Sequence, residues 1–203
     1  MAFIDDLALE LFTIALIGVV SLFTISKIFL NYRKGDTDVE GILKQGAVPL
    51  AILGGIVTIM GIYGEMTWPL PGSYNILFYD PYLILGTVDL MIVASIFLGY
   101  RLQYSGIVAM FAGFIAIYYG ISAYIQQMTS SPLAMLGLYT AFGATGILTF
   151  PVTVIYDMLP GRKKASTLWT VVLVLFWIGL FASAVLASVT AILAVPQHLL
   201  HPP

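Results

Sequence analysis

Residues 167–195 read TLWTVVLVLFWIGLFASAVLASVTAILAV, and this run contains no Asp, Glu, Lys, Arg or His. A helix of about 20 apolar residues is long enough to cross the hydrocarbon core of a bilayer. Five more runs of this kind precede it, at residues 7–32, 46–64, 82–100, 106–127 and 132–158. The sequence therefore predicts an all-α polytopic membrane bundle of six transmembrane helices, which form one integral membrane domain over residues 1–203.

The composition of the whole chain supports this interpretation. Hydrophobic residues make up 60% of it and charged residues 9%, and the mean hydropathy is +1.01. So few charges cannot cover the surface of a soluble domain, so the lipid bilayer is the expected partner of most of the chain. The formal net charge is −2, and the chain lacks the excess of Lys and Arg with which proteins bind nucleic acid, so nucleic acid is excluded as a partner.

The chain also lacks the side chains that hold most cofactors. It contains no cysteine, which excludes disulfides, iron–sulfur clusters and thiolate metal sites. Its only histidines, His198 and His201, lie beyond the last predicted span, so no haem is expected between two spans. We therefore expect no cofactor and no metal. Because no phosphate-binding glycine loop and no nucleophile motif is present, we also expect no enzymatic activity.

The basic residues predict the orientation of the bundle. All eight lie in or beside alternate connections, at Lys27, Arg33, Lys34, Lys44, Arg101, Arg162, Lys163 and Lys164. Because cytoplasmic connections carry an excess of Lys and Arg, these three connections are predicted to be cytoplasmic. Both termini then lie outside, which gives an N-out/C-out topology in the cytoplasmic membrane. Asp157, near the end of the fifth span, is expected to pair with one of the basic residues at 162–164.

Two proline residues suggest where helices begin. Asp80-Pro81 fits an N-cap followed by proline at the first helical position, and Ser131-Pro132 shows the same pattern. The third span is therefore expected to begin at about residue 82. The fifth span is expected to begin at Pro132.

Small residues recur at intervals of four along the later spans. Helices in lipid associate through close packing of such residues, because lipid supplies little hydrophobic drive between helices. The stripes comprise Ala51 and Gly55; Ala112, Ala116 and Gly120; Gly137 and Ala141; and Gly179, Ser183, Ala187 and Ala191. They predict a compact bundle, although an interface with a second copy or another subunit would use the same residues. Pro151, inside the fifth span, predicts a kink that either shapes this packing or serves as a gate.

Two acidic residues inside predicted spans, Glu10 and Asp89, are candidates for carrying protons or ions. Asp89 lies about seven residues, or roughly 10 Å, into the third span, where a carboxyl group costs about 2.5–3.5 kcal/mol. The alternative is an Asp89 that only joins helices, through a hydrogen bond from Thr87, Thr140 or Ser183. Glu10 lies about one turn inside the first span, where it either reaches interfacial water or forms a second acid along the same path.

The connection before the third span has an unusual composition. Residues 68–82 read WPLPGSYNILFYDPY, with more aromatic and apolar surface than loops in water carry. We expect this stretch to lie in the membrane interface or to fold over the outer mouth of the bundle. It is either an aromatic belt or a lid and docking surface, for which the candidate residues are Glu65, Trp68, Tyr74, Asn75 and Asp80.

The stretch WPLPGSYNILFYDPYL at residues 68–83, followed by a span that contains Asp89, resembles a family of small multi-pass membrane proteins. That family is found mainly in archaea and is catalogued as a domain of unknown function. The resemblance implies an integral protein of an archaeal cytoplasmic membrane. It transfers no activity and no catalytic residue.

Two classes of function remain after these exclusions. The first is a small transporter or channel with Asp89 in the path and the 68–82 stretch at its outer mouth. The second is an accessory subunit of a larger membrane complex, such as a respiratory complex, in which the small-residue faces meet partner subunits. A third class, an intramembrane enzyme, is supported only by isolated carboxyl groups. A polar cavity that reaches Asp89 favours the first class, and a dry core in which Asp89 is hydrogen-bonded favours the second.

Overall fold

The structure, a computed structural model, describes residues 6–35, 38–159 and 166–200. The helices of the described residues are α1 (Asp6–Arg33), α2 (Val39–Thr67), α3 (Tyr74–Leu98), α4 (Gln103–Ile125), α5 (Pro132–Met158) and α6 (Thr167–Leu200). Each of the six is long and apolar enough to cross a membrane, so the predicted all-α bundle of six spans is confirmed. The side of the membrane on which the termini lie stays a prediction.

The helices form a closed ring in chain order. Each helix packs against its neighbours in the chain, and α6 returns to pack against α1. The contacts are most extensive between α4 and α5 and least extensive between α3 and α4. The α2–α3 and α4–α5 connections meet at one end of the ring, where the Tyr74 hydroxyl donates a hydrogen bond to the Met128 carbonyl. We call this end the Tyr74 end and the opposite end, with the α3–α4 connection, the Arg101 end.

The third helix begins earlier than the sequence pattern predicts. Its N-cap is Ser73 and its first residue is Tyr74, so the predicted start at about residue 82 is wrong. Asp80 and Pro81 lie inside the helix and do not open it. The helix extends backwards because Leu77, three residues into it, is buried in the bundle, and this packing outweighs the unfavourable proline.

A side chain from another helix compensates for Pro81. Proline has no N–H, so the carbonyl of Leu77, four residues earlier, loses its helical donor. The Tyr139 hydroxyl of α5 donates a hydrogen bond of 2.5 Å to this carbonyl. Membrane helices tolerate proline where a neighbouring helix satisfies the freed backbone group in this way.

The second helix also begins earlier than predicted, at Val39 and not at residue 46. Asp38 caps it, because its carboxylate accepts a hydrogen bond of 2.9 Å from the Gly41 N–H. Lys44 and Glu40, one turn apart, form an exposed ion pair of 2.7 Å. The polar residues before the apolar run therefore form the first turns of α2 and are not a separate loop.

The predicted start of α5 is confirmed, with Ser131 at the N-cap and Pro132 as the first residue. Pro151 lies inside α5. The proposed gate at Pro151 stays a prediction.

Asp157 caps a neighbouring helix. Its two carboxylate oxygens accept hydrogen bonds of 2.8 Å from the Leu102 N–H and 2.9 Å from the Gln103 N–H, at the start of α4. The N-terminus of a helix has free N–H groups and a partial positive charge, which a carboxylate satisfies well. The predicted partners at residues 162–164 lie outside the described residues.

Glycine residues allow α4 and α5 to touch backbone to backbone. A Cβ atom at Gly113 would lie 2.5 Å from the Gly143 carbonyl oxygen and 2.7 Å from the Ile147 nitrogen. A Cβ atom at Gly146 would lie 2.9 Å from the Gly113 Cα. Both approaches are closer than real Cβ contacts, so only glycine fits at this crossing.

The predicted small-residue stripes are correct in part. Ser183, Ala187 and Ala191 of α6 are buried, and Gly120 of α4 packs against Tyr139. The α2 stripe is correct for Ala51, which packs against the core, but not for Gly55, and the α5 stripe is wrong at Gly137, because a Cβ atom at either glycine would meet nothing within 4 Å. In these helices the glycines that contact a neighbouring helix are Gly46, Gly54, Gly61, Gly64, Gly143 and Gly146.

The α4–α5 crossing gives the first prediction. Gly113→Ala should lower the free energy of unfolding by about 1–3 kcal/mol, because the new methyl group forces two backbones apart. Gly137→Ala is the matched control, since it adds the same group to open space, and alanine also favours helix by up to about 1 kcal/mol. Unfolding of both variants in maltoside micelles, followed by circular dichroism during titration with dodecyl sulfate, measures the difference. Equal stability of the two variants would contradict the glycine contact.

The compensation of Pro81 gives the second prediction. Tyr139→Phe should destabilise the fold by about 1–3 kcal/mol, because the Leu77 carbonyl is left buried without a donor. In a Pro81→Ala background the new N–H of residue 81 can donate to that carbonyl, so the same change should cost much less. The double-mutant cycle is measured by the same unfolding titration. Additive effects of the two changes would show that the tyrosine does not replace the missing N–H.

Candidate functional site

A cavity of about 230 Å³ lies inside the ring. Side chains of α1, α3, α4, α5 and α6 line it, and most of them are aliphatic or aromatic. Along α1 the lining extends from Glu10 to Ser21, which corresponds to roughly 16 Å at 1.5 Å per residue. Helix α2 does not contribute to the lining and packs behind α1 and α3. The cavity is therefore a long space with mainly apolar walls inside a membrane bundle.

Glu10 lies at the part of this cavity closest to the Tyr74 end. It is four residues into α1, and only 3% of its surface is exposed. The interpretation of Glu10 as a side chain that reaches out to interfacial water is therefore wrong, because α1 turns it towards the ring. Thr13, on the next turn, shares a hydrogen bond of 2.7 Å with the Tyr82 hydroxyl and thereby joins α1 to α3 beside Glu10.

Asp89 lines the same cavity at a greater depth. It is fifteen residues into α3, about 22 Å from the start of the helix, because α3 begins at Tyr74. The sequence prediction of roughly 10 Å was too shallow for this reason. Tyr82 precedes Asp89 by seven residues, so Asp89 and the Thr13–Tyr82 contact are about 10 Å apart along the helix.

The surroundings of the Asp89 carboxyl group are unusual. The residue is 7% exposed, and its Oδ2 atom is buried without a hydrogen-bond partner among the described residues. This oxygen packs against Gly54 of α2, where a Cβ atom would overlap it. Buried polar atoms nearly always have a partner, so an exception calls for an explanation.

The hydroxyl groups predicted to bind Asp89 are engaged elsewhere or face outwards. Thr87 donates to the Leu83 carbonyl and is exposed. It faces away from Asp89, because two residues along a helix correspond to a rotation of about 200°. Ser183 shares a hydrogen bond of 3.1 Å with Thr145, and Thr140 is exposed. The structure therefore does not support Asp89 as a hydrogen-bonded link to these residues.

A second group of acids lies at the Tyr74 end. The Glu65 carboxyl group of α2 lies against Asp80 of α3. The Tyr119 hydroxyl of α4 donates a hydrogen bond to Asp80 Oδ2. Two carboxyl groups in contact repel each other when both are charged. The sequence indicated Glu65 and Asp80 but not Tyr119. The contact of Tyr119 with Asp80 involves a residue inside α3, because the helix begins at Tyr74.

The remaining residues of the 68–82 stretch have structural roles. Asn75 is 0% exposed, donates to the Gly64 carbonyl at 3.1 Å and accepts from the Leu70 N–H at 3.3 Å. It fixes the turn between α2 and α3 and offers nothing to a ligand. Trp68 ends α2 in the left-handed conformation and is 48% exposed, as expected for an aromatic belt residue. Tyr74 joins the two connections of its end.

The cavity favours positively charged or hydrogen-bond-donating groups. Its ionisable lining consists of Glu10, Asp89 and the phenols of Tyr82 and Tyr139, and no Lys, Arg or His is present among the described lining residues. The described part of the chain contains no group of three or more His, Cys, Asp or Glu side chains that would hold a metal ion. Pro151 is not part of the lining, although Thr149 is.

Comparison with known proteins identifies the family of this chain but no activity. The family model "Protein of unknown function (DUF981)" matches residues 1–201. No curated protein and no solved structure matches the chain. The predicted resemblance to a family of unknown function is thereby confirmed, and the archaeal cytoplasmic membrane stays a prediction. Because the match covers nearly the whole chain, this protein belongs to the DUF981 family.

Proposed function

We propose that this protein is a small membrane transporter, in which Asp89 and Glu10 lie on the path of the transported species. The observation that carries the proposal is that a single cavity inside the ring is lined by both residues. They come from helices α1 and α3, and each carboxyl group costs about 2.5–3.5 kcal/mol near the centre of a bilayer unless it is compensated. An acid kept at this cost beside a cavity is a functional candidate.

The acidic residues lie at successive depths from the Tyr74 end. The Glu65–Asp80 pair is at this end, Glu10 is near the start of α1, and Asp89 is past the middle of α3. Beyond Asp89 the described lining is apolar or carries hydroxyl groups, and Asp157 at the Arg101 end is engaged as a helix cap. This one-sided arrangement supports a transporter that changes conformation more than a channel that is open at both ends.

The same contacts weigh against the alternative of an accessory subunit. In that case Asp89 would serve as a contact between helices and would accept a hydrogen bond from a hydroxyl or amide group. The described residues provide no such partner to Asp89 Oδ2.

The proposal predicts that flux depends on Asp89. Purified protein in liposomes should carry protons or monovalent cations down an imposed gradient, measured with an entrapped pH dye and a potential dye. Asp89→Asn should abolish this flux, because the amide cannot ionise. Thr87→Val is the matched control: Thr87 is on the same helix, exposed and outside the cavity lining, so its loss should leave the flux unchanged.

Two results would contradict the proposal. One is an intact wild-type protein that carries no more than empty liposomes, which would favour the accessory subunit and call for co-purification of its partners. The other is a folded Asp89→Asn variant with wild-type flux, which would place Asp89 outside the path.

A further inference from the structure

We infer that the molecule carried in the cavity is a small amphiphilic organic cation, with an amine or quaternary ammonium group held by Asp89. The inference rests on the proposed function, since it names the class of molecule that the same cavity would take. Three properties of the lining support it: its charge, its apolar character and its aromatic rings.

The charge of the lining is negative or zero, and never positive. Helices α1 and α3 contribute Glu10 and Asp89, and α3 and α5 contribute the phenols of Tyr82 and Tyr139. The described lining residues of α4 and α6 contain no titratable group, and the α2 residue against Asp89 is Gly54. The Asp89 carboxylate is neutralised there either by a proton or by a cation from outside the chain. An anionic ligand would find no counter-charge here.

The apolar walls require that most of the ligand is apolar as well. Small-molecule sites combine mainly apolar walls with a few polar groups that fix orientation, and here the two carboxyl groups are those polar groups. A divalent inorganic ion such as calcium does not fit this description, because calcium takes six to eight oxygen ligands. The described residues provide no cluster of three carboxylates or imidazoles, and Glu10 and Asp89 lie at different depths.

Aromatic rings line the cavity between the two depths. Tyr82 and Tyr139 are held by their hydroxyl groups, which contact Thr13 and the Leu77 carbonyl. Their rings are therefore fixed in place, and Phe142 also belongs to the lining. The face of an aromatic ring attracts ammonium groups and gains most when the site excludes water. An apolar ligand body with a cationic head thus matches both features of the wall.

This arrangement makes the cation and the proton competitors for the same carboxyl groups. When the cation binds, the carboxylic acid loses its proton to the solution and the carboxylate pairs with the cation. When the cation leaves, a proton returns. Exchange of this kind would couple movement of the cation in one direction to movement of protons in the other.

The test compares two probes of the same shape. Phenyltrimethylammonium is a permanent cation, and tert-butylbenzene is its neutral isostere, in which carbon replaces nitrogen. Binding to the purified protein in maltoside micelles is measured by ligand-observed NMR, with empty micelles as the blank. We expect saturable binding of the cation, at least about tenfold weaker in Asp89→Asn, because a buried charge loses its partner. Binding of the neutral isostere should not weaken in this variant.

Proton release provides a second readout that a purely structural role would not produce. Phenyltrimethylammonium neither gives nor takes protons, so any acidification of weakly buffered protein solution on its addition comes from the protein. The wild type should release protons, and Asp89→Asn should release fewer. Thr87→Val, outside the cavity, should bind and release as the wild type does.

The outcomes separate this inference from the proposed function. Equal binding of the cation and the isostere, no cation binding, or unchanged cation binding in the folded Asp89→Asn variant would overturn the cation site. If flux in liposomes still depended on Asp89, the transporter proposal would survive that result. Cation binding that depends on Asp89, without any flux, would uphold the site and overturn the transporter.

Discussion

Lipid supplies neither hydrogen bonds nor counter-charges, and this absence constrains every polar group in the six helices. Each group must find its partner inside the ring. The Leu77 carbonyl freed by Pro81 receives the Tyr139 hydroxyl, and Thr13 and Tyr82 satisfy each other. Against this background the Asp89 Oδ2 atom is an exception, because it is buried against Gly54 of α2 without a hydrogen-bond partner among the described residues. Asp89 also belongs to the lining of the cavity.

The cavity exists because the helices pack with unequal closeness. Glycine on both sides brings α4 and α5 into backbone contact, while α3 and α4 touch over a smaller area. Helix α2 packs behind α1 and α3 and leaves the interior to the other five helices. Close contact at the α4–α5 crossing leaves more space elsewhere in the ring. The small residues at that crossing therefore also influence where the cavity lies.

Much of the fold could be predicted from the sequence, because a long apolar run bounded by charged residues indicates a helix that crosses the lipid bilayer. The six spans, the start of α5 at Pro132 and the α6 stripe ending at Ala191 follow from local patterns. The start of α3 does not, because Pro81 indicates a helix end unless the distant Tyr139 is known. Glu10 and Asp89 were recognised individually by their position in apolar runs. Their presence in one cavity depends on the rotation of each helix about its axis, which the sequence does not specify.

The closed ring has a consequence for how the protein is made. Membrane helices are inserted in chain order, and α1 meets its partner α6 last, at contacts such as that of Gly18 with Ala184. Until that moment the side of α1 that carries Glu10 has no complete wall around it. The energetic cost of placing that acid in the membrane is thus incurred when α1 is inserted and offset only when α6 arrives. The insertion of α6 is therefore the step that closes the ring, and anything that delays α6 leaves an acidic surface open to lipid.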